Sequence, residues 1–215
     1  MIFEDKKCVE ISIPRTATTQ RYVMINKLNF DNTEYLENCN KGRYGYRKRK
    51  YKETYNFFTH GHFSYNQWTE FIKQNKKYEN YFTFSFVRNP YKRFLSMWYS
   101  RCKIDHGRTL IFIEPTVPNV LNYIKELLQE YETQTFYLTN ENKDIKVDFV
   151  GRLENYKNDY DKLKTIVPTL PPYDNRVLRQ SVPSSCTETP DLSTKAREIV
   201  YEHFKDDFEI LGYEK

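Results

Sequence analysis

The sequence predicts an α/β fold, a central and mainly parallel sheet flanked by helices in three layers. Three stretches carry that expectation: Cys8 to Leu28, Tyr81 to Arg101 and Val147 to Val167 each pass from an extended apolar run through a short breaker into a helical pattern. Successive strand–loop–helix units return the chain to the same end of a sheet, which makes the strands parallel. At 215 residues the chain is long enough to bury one real core. It shows neither repeats nor a change of composition, so a single domain over residues 1–215 is expected.

The first stretch is also the most informative chemically. Cys8-Val9-Glu10-Ile11-Ser12-Ile13 alternates as a strand does, and Pro14 ends the ladder because it has no N–H to donate. Arg15-Thr16-Ala17-Thr18-Thr19 is then small, rich in hydroxyls and carries one cation, while Tyr22, Val23, Ile25 and Leu28 suit the buried face of a helix. A helix N-terminus presenting backbone N–H groups, with Thr hydroxyls and an Arg beside it, has the physical outline of a phosphate site. The alternative is a plain strand–turn–helix with a threonine cap. The loop has no glycine and no GxxxxGK[ST] pattern, which disfavours an ordinary nucleotide kinase or ATPase.

Between Asn29 and Thr54 periodicity is lost, and Lys41 to Lys52 collects seven Lys and Arg interleaved with tyrosines. Such a stripe is either a solvated basic face or a surface for a polyanion. Tyr55 to Thr59 reads as a short buried strand with His60-Gly61-His62 at its end, where side chains of open α/β sheets reach a ligand. Imidazole can accept a hydroxyl proton near neutral pH, so an acid–base role stands beside a structural one. A metal reading would need a further ligand that the neighbourhood does not offer.

Gln67 to Gln74 reads as a short helix. Tyr81 to Val87 is the clearest strand; Arg88-Asn89-Pro90 breaks it, and Tyr91 to Arg101 continues as an amphipathic helix with Tyr91, Phe94, Leu95 and Trp98 on one side. Arg88 thus sits at a strand end and Ser96 about two turns into the following helix. A guanidinium and a hydroxyl so spaced can converge on one phosphate, the alternative being a surface ion pair and an indifferent serine. Val117 to Tyr131 follows as a helix, Val147 to Gly151 as a strand and Tyr156 to Val167 as a helix behind it. Pro168 to Pro190 reads as a long surface loop and a candidate lid. Thr189 as cap with Pro190 at the first position would open a last helix over Asp191 to Phe208.

Composition limits the function classes. A mean hydropathy of −0.83 and the lack of any long apolar run exclude an integral membrane protein, and the first ten residues lack a signal peptide's apolar segment. Cys8, Cys39, Cys102 and Cys186 are scattered without a CxxC pair, which favours buried thiols over a zinc site or a disulfide framework. The net charge of +5 suits an anionic ligand without implying nucleic acid.

Three separated pieces line up with one family. Ile13 to Thr19, IPRTATT, resembles the 5′-phosphosulfate loop of sulfotransferases, usually written PKTxxT. Phe86 to Tyr99, FVRNPYKRFLSMWY, resembles their 3′-phosphate motif, with Arg88 and Ser96 at the family's spacing. Phe58 to Tyr65 is similar to the HGH segment of the heparan sulfate and uronyl 2-O-sulfotransferases, whose histidines serve as catalytic base. The later VDFVGRLENYKNDYDKL and VYEHFKDDFEILGY look like the tail of the membrane-bound glycan sulfotransferase group. The resemblance covers nearly the whole chain in the right order.

It implies a P-loop-like fold and 3′-phosphoadenosine 5′-phosphosulfate as cofactor, leaving as adenosine 3′,5′-bisphosphate, with no metal. Arg15, Thr16, Ala17, Thr18 and Thr19 would hold the phosphosulfate end, and Arg88 and Ser96 the 3′-phosphate. The implied reaction is in-line transfer of a sulfuryl group to an acceptor hydroxyl, with charge building on the leaving phosphate oxygen. Arg15 would stabilise that charge, His62 would remove the acceptor proton and His60 would assist or orient. Most members of the group have Lys where this chain has Arg15. Tyrosylprotein sulfotransferases have Arg there, which keeps the charge but disfavours proton donation. The nearest resemblance points to an acidic glycan as acceptor, with no nucleic acid partner and no membrane span; the oligomeric state is open. The chain lacks the anchor and stem of the Golgi enzymes, so a soluble cytoplasmic minimal form is expected, or a Golgi-lumen domain if the sequence is trimmed. Two other classes compete: a P-loop-like phosphotransferase, which would need a metal-binding Asp after a strand and a lysine in the loop, neither of them evident, and a non-catalytic module binding a polyanion through Lys41 to Lys52.

Overall fold

The structure, a computed structural model, describes residues 1–26, 62–101, 103–106, 109–127, 132–174 and 191–215. The expected strand at Tyr55 to Thr59, the basic stripe at Lys41 to Lys52, His60, and the expected loop beyond residue 174 lie outside the described residues. The chain packs as two compact units, one formed by Met1–Val87 with Phe136–Leu178 and the other by Arg88–Thr135 with Arg179–Lys215.

The first unit holds a sheet of β1 (Ile2–Phe3), β2 (Cys8–Glu10), β3 (Phe82–Val87) and β6 (Phe149–Arg152), in the order β1-β2-β3-β6. The β2–β3 and β3–β6 pairs are parallel, with Cys8 opposite Phe82 and Phe84 opposite Phe149, whereas β1 runs antiparallel to β2. Pairing continues past Glu10: the Ile11 N–H donates to the Phe84 carbonyl at 2.8 Å, and Ser85 Oγ donates to the Ile11 carbonyl at 2.7 Å. Those bonds carry the pairing one residue further, to Ile11, short of the Ile13 end that the alternation predicts. Helices α1 (Thr18–Ile25) and α6 (Tyr156–Ile166) pack on the sheet through Met24, Ile25, Tyr160 and Leu163, which close one core with Phe84 and Phe86. A second aromatic cluster gathers Phe63, Trp68, Phe71 and Tyr78 around α2 (Tyr65–Gln74). The observed arrangement is the α/β class expected, a four-stranded, mostly parallel sheet flanked by helices.

The second unit is built on α3 (Pro90–Arg101), with the antiparallel hairpin β4 (Lys103–His106) and β5 (Thr109–Phe112), then α4 (Val117–Leu127), α7 (Thr194–His203) and α8 (Lys205–Leu211). Its core joins Phe94, Trp98, Tyr123, Val200, Phe204 and Phe208. A short helix, α5 (Gln134–Leu138), follows in the chain.

Several boundaries differ from the expectation. The last helix starts at Thr194, not Asp191, because Ser193 is its N-cap and its Oγ accepts the Ala196 N–H at 3.3 Å. It also stops at His203: Phe204 leaves helical geometry and α8 begins anew. The start of the expected surface loop is in fact packed, with Leu170 2% exposed and the Tyr160 hydroxyl donating to the Pro171 carbonyl at 3.1 Å.

Candidate active site

Two places in the sheet-to-helix junctions concentrate the predicted site residues. The first begins where the extended chain from β2 reaches Ile13 and turns. Arg15 and Ala17 adopt left-handed backbone, φ 70° and 58°, a conformation that L-residues reach only at a cost of about 1–2 kcal/mol. Ala17, left-handed, precedes the helical Thr18 and is itself the N-cap of α1, with no side chain capping it. A left-handed residue beside a right-handed one turns successive N–H groups toward a common concavity, the geometry of an anion nest. The alternative of a threonine cap does not hold, since the N-cap is Ala17. Thr16 and Thr18 instead both donate their hydroxyls to the Ile13 carbonyl, at 2.9 and 3.0 Å, and fasten the turn to the strand end. Thr19 opens the helix with them, but its side chain lies outside the described ones.

Beneath the loop sits a charge that sequence reasoning missed. Arg21, one turn into α1, is fully buried and donates from Nη1 to the Thr16 carbonyl at 2.5 Å and from Nη2 to Thr16 Oγ1 at 3.3 Å. Its Nε and Nη2 also reach Glu10 Oε1 at 2.9 and 2.6 Å, and Glu10 is fully buried as well. The guanidinium stacks over the Phe86 ring at 4.6 Å and nears Tyr156 at 5.7 Å. Burial alone would weaken the Arg21 charge, but the Glu10 carboxylate outweighs that and raises its pKa further. Burial likewise pushes the Tyr156 phenol up to about 12 and the Cys8 thiol up to about 12, so neither ionises at neutral pH and Cys8 is an inert core thiol. The alternation put Glu10 on the polar face of its strand, and the sequence carries no signal that this face is buried as well.

His62 enters the same place. It is half-buried, and its Nδ1 lies 2.8 Å from the Ser12 carbonyl. A carbonyl can only accept, so Nδ1 carries the proton and the neutral ring keeps its lone pair on Nε2. The chain that follows His62 is anchored by Phe63, fully buried on Trp68, and by Ser64, which forms a reciprocal capping box with Gln67 at the start of α2. The structure thus ties Thr16 and Thr18 to the Ile13 carbonyl and His62 to the neighbouring Ser12 carbonyl, with Arg15 and Ala17 in the same loop.

The second place, in the other unit, is the N-terminus of α3. Asn89 caps it, its Oδ1 accepting the Tyr91 and Lys92 N–H groups at 3.0 and 3.2 Å, with Pro90 at the first helical position. Arg88, half-buried, directly precedes this cap, and Ser96, 3% exposed, lies within the helix. The Arg88 backbone is gripped by Gln134, a residue that the sequence did not single out.

Asp148 precedes its strand instead of following one, which makes it a poor candidate for the metal-binding Asp of a phosphotransferase, and it is committed to the sheet. Its Oδ2 accepts the Thr83 N–H and Thr83 Oγ1, each at 2.7 Å. Among the described residues no group of His, Cys, Asp and Glu is gathered to hold a metal ion, and no helix is long and apolar enough to cross a membrane.

No curated protein and no solved structure matches the chain. A family model does: that of the sulfotransferase family matches residues 1–214. The strand-to-helix loop, the histidine tied to it and the arginine at the second junction thus belong to a member of the sulfotransferase family, a transferase of sulfuryl groups.

Proposed function

We propose that this protein transfers a sulfuryl group from 3′-phosphoadenosine 5′-phosphosulfate to a hydroxyl of an acidic glycan, with His62 as general base. The observation that carries the reading is the bond from His62 Nδ1 to the Ser12 carbonyl, 2.8 Å, which holds the imidazole on the strand that feeds the loop. The loop suits an anionic group: a nest at Ala17, the N-terminus of α1 and the Arg15 guanidinium are all close in sequence. Bound there, the nucleotide supplies the activated sulfuryl group. Arg15 and the N–H groups of Thr16 to Thr19 offset negative charge on the leaving phosphate oxygen, and Arg15 remains protonated throughout because a guanidinium does not titrate near neutrality. His62 Nε2 takes the acceptor hydroxyl proton, and His60 assists or orients it. Arg88 and Ser96 hold the 3′-phosphate. No step is assigned to a metal.

A thermal-shift titration tests the reading. Adenosine 3′,5′-bisphosphate at ~100 times its Kd should add about 2.7 kcal/mol of stability, visible as a raised melting temperature. That shift should be absent in Arg88→Ala and in Arg15→Ala. ATP with magnesium should give a smaller shift in the wild type. An equal shift with ATP, or none with the bisphosphate, would remove the donor from the proposal and leave a phosphotransferase or a polyanion binder in its place.

A further inference from the structure

We infer that Gln134 and Asp207 are positioning residues for Arg88, a relay that sets how tightly Arg88, before the N-terminus of α3, holds a 3′-phosphate. The inference rests on the proposed function.

At residue 88 the strand has ended, and the Gln134 carboxamide takes up both backbone groups. Gln134 Oε1 accepts the Arg88 N–H at 2.8 Å, and Nε2 donates to the Arg88 carbonyl at 2.8 Å. This two-point pairing fixes φ and ψ at residue 88, and with them the direction in which the guanidinium leaves the chain. Gln134 is itself fully buried and opens α5. Its place is set by Asp207 on α8: Oδ2 accepts the Gln134 N–H at 2.9 Å, while Oδ1 accepts the Thr135 N–H at 2.9 Å and Thr135 Oγ1 at 3.0 Å.

Asp207 is fully buried, so the charge needs compensation. Arg93, 1% exposed on α3, supplies it, with Nη1 at 3.7 Å from Oδ2 and Nη2 donating to the Glu132 carbonyl at 2.9 Å. Arg93 lies just over one turn beyond Arg88, so the relay closes on the helix that it serves. An apolar side chain in place of Gln134 would leave both Arg88 backbone groups without these partners, so the pairing serves folding as well as the direction of the chain at residue 88. A phosphate-binding arginine needs that direction set, since charged hydrogen bonds depend steeply on direction.

The test compares two nucleotides that differ only at the 3′ position, adenosine 3′,5′-bisphosphate and adenosine 5′-monophosphate, by titration calorimetry. The wild type should bind the bisphosphate more tightly. Gln134→Met, which removes both bonds to Arg88 at similar volume, should lose about tenfold in bisphosphate affinity with the monophosphate unchanged. Gln134→Glu keeps an acceptor for the Arg88 N–H but faces its carbonyl with a second oxygen, and should lose at least as much. If neither variant folds, Thr135→Val, which removes one bond to Asp207, should show the same selective loss at roughly threefold. Equal losses for both nucleotides, or no loss in a folded variant, would overturn the relay. A wild type that binds both nucleotides equally would instead overturn the proposed function on which the relay rests.

Discussion

Arg21 and Glu10 form a fully buried ion pair whose arginine also holds the turn above it: the guanidinium that meets Glu10 Oε1 at 2.6 Å donates to the Thr16 carbonyl at 2.5 Å. Stability and loop shape therefore share one side chain. Removing either partner strands a buried charge, a loss of about 3–5 kcal/mol. Urea unfolding should show it in Glu10→Ala and in Arg21→Ala. The double replacement Glu10→Leu with Arg21→Met should regain most of that stability, because paired charges are often no better than packed apolar groups of similar volume. It should not regain nucleotide affinity, since Thr16 then lacks its donor. Recovery of both would show that the pair serves folding alone.

Phe86 transmits sheet packing to the same arginine. It is fully buried with Arg21 over its face at 4.6 Å, and a Cβ built on Gly151 would come within 2.4 Å of its ring. Gly151→Ala should consequently push the ring from its seat, costing about 1–3 kcal/mol as overpacking does. The companion Gly151→Ala with Phe86→Leu should recover part of the melting temperature. No loss in the single variant would mean that β6 can shift away from β3 without strain.

Asp159 sets a pH dependence at low pH. Burial alone would raise its carboxyl, but the Arg152 N–H at 2.8 Å, Lys162 at 3.1 Å and Asn155 at 3.1 Å outweigh burial and hold it below its ordinary 3.8. A carboxyl with a depressed folded value contributes stability that is present above its unfolded value, about 3.9, and lost as pH falls through the folded one. The wild type should therefore lose stability below about pH 4 more steeply than Asp159→Asn, with the variant weaker at pH 7. Urea midpoints from pH 7 to pH 3 measure the difference, and parallel curves would refute it.

What the sequence discloses, and what it hides, follows from the range of each interaction. The turns at Pro14 and at Asn89-Pro90 are legible because strand alternation, a breaker and helical spacing all act within a few neighbours. Arg88 stands out as a candidate because it sits at such a break, and His62 because two histidines fall within three residues. Arg21 is not legible, because its partner Glu10 lies eleven residues back and the pairing exists only once β2 and α1 have packed. Gln134 is further out of reach: it meets Arg88 across forty-six residues and Asp207 across seventy-three, from a helix of five residues, too short to show a period. At the last helix two cap-like sequences compete, Thr189-Pro190 and Ser193, and local propensity alone does not choose between them. Ser193 wins.

His62 offers the sharpest functional prediction, because its two nitrogens have separable duties. Nδ1–H donates to Ser12, a structural bond that an asparagine amide can imitate, whereas Nε2 has no counterpart in asparagine. His62→Asn should keep the wild-type melting temperature and nucleotide affinity yet lose roughly 10²–10⁴-fold in turnover, the usual worth of a positioned base. His62→Ala should lose the same in turnover and also give up about 1 kcal/mol of stability with the bond to Ser12. In the wild type the rate should fall on the acid side as the imidazole becomes protonated, and that limb should vanish from the residual activity of His62→Asn. Full turnover in His62→Asn would reduce the residue to a clamp on the strand end and move the search for the base to His60.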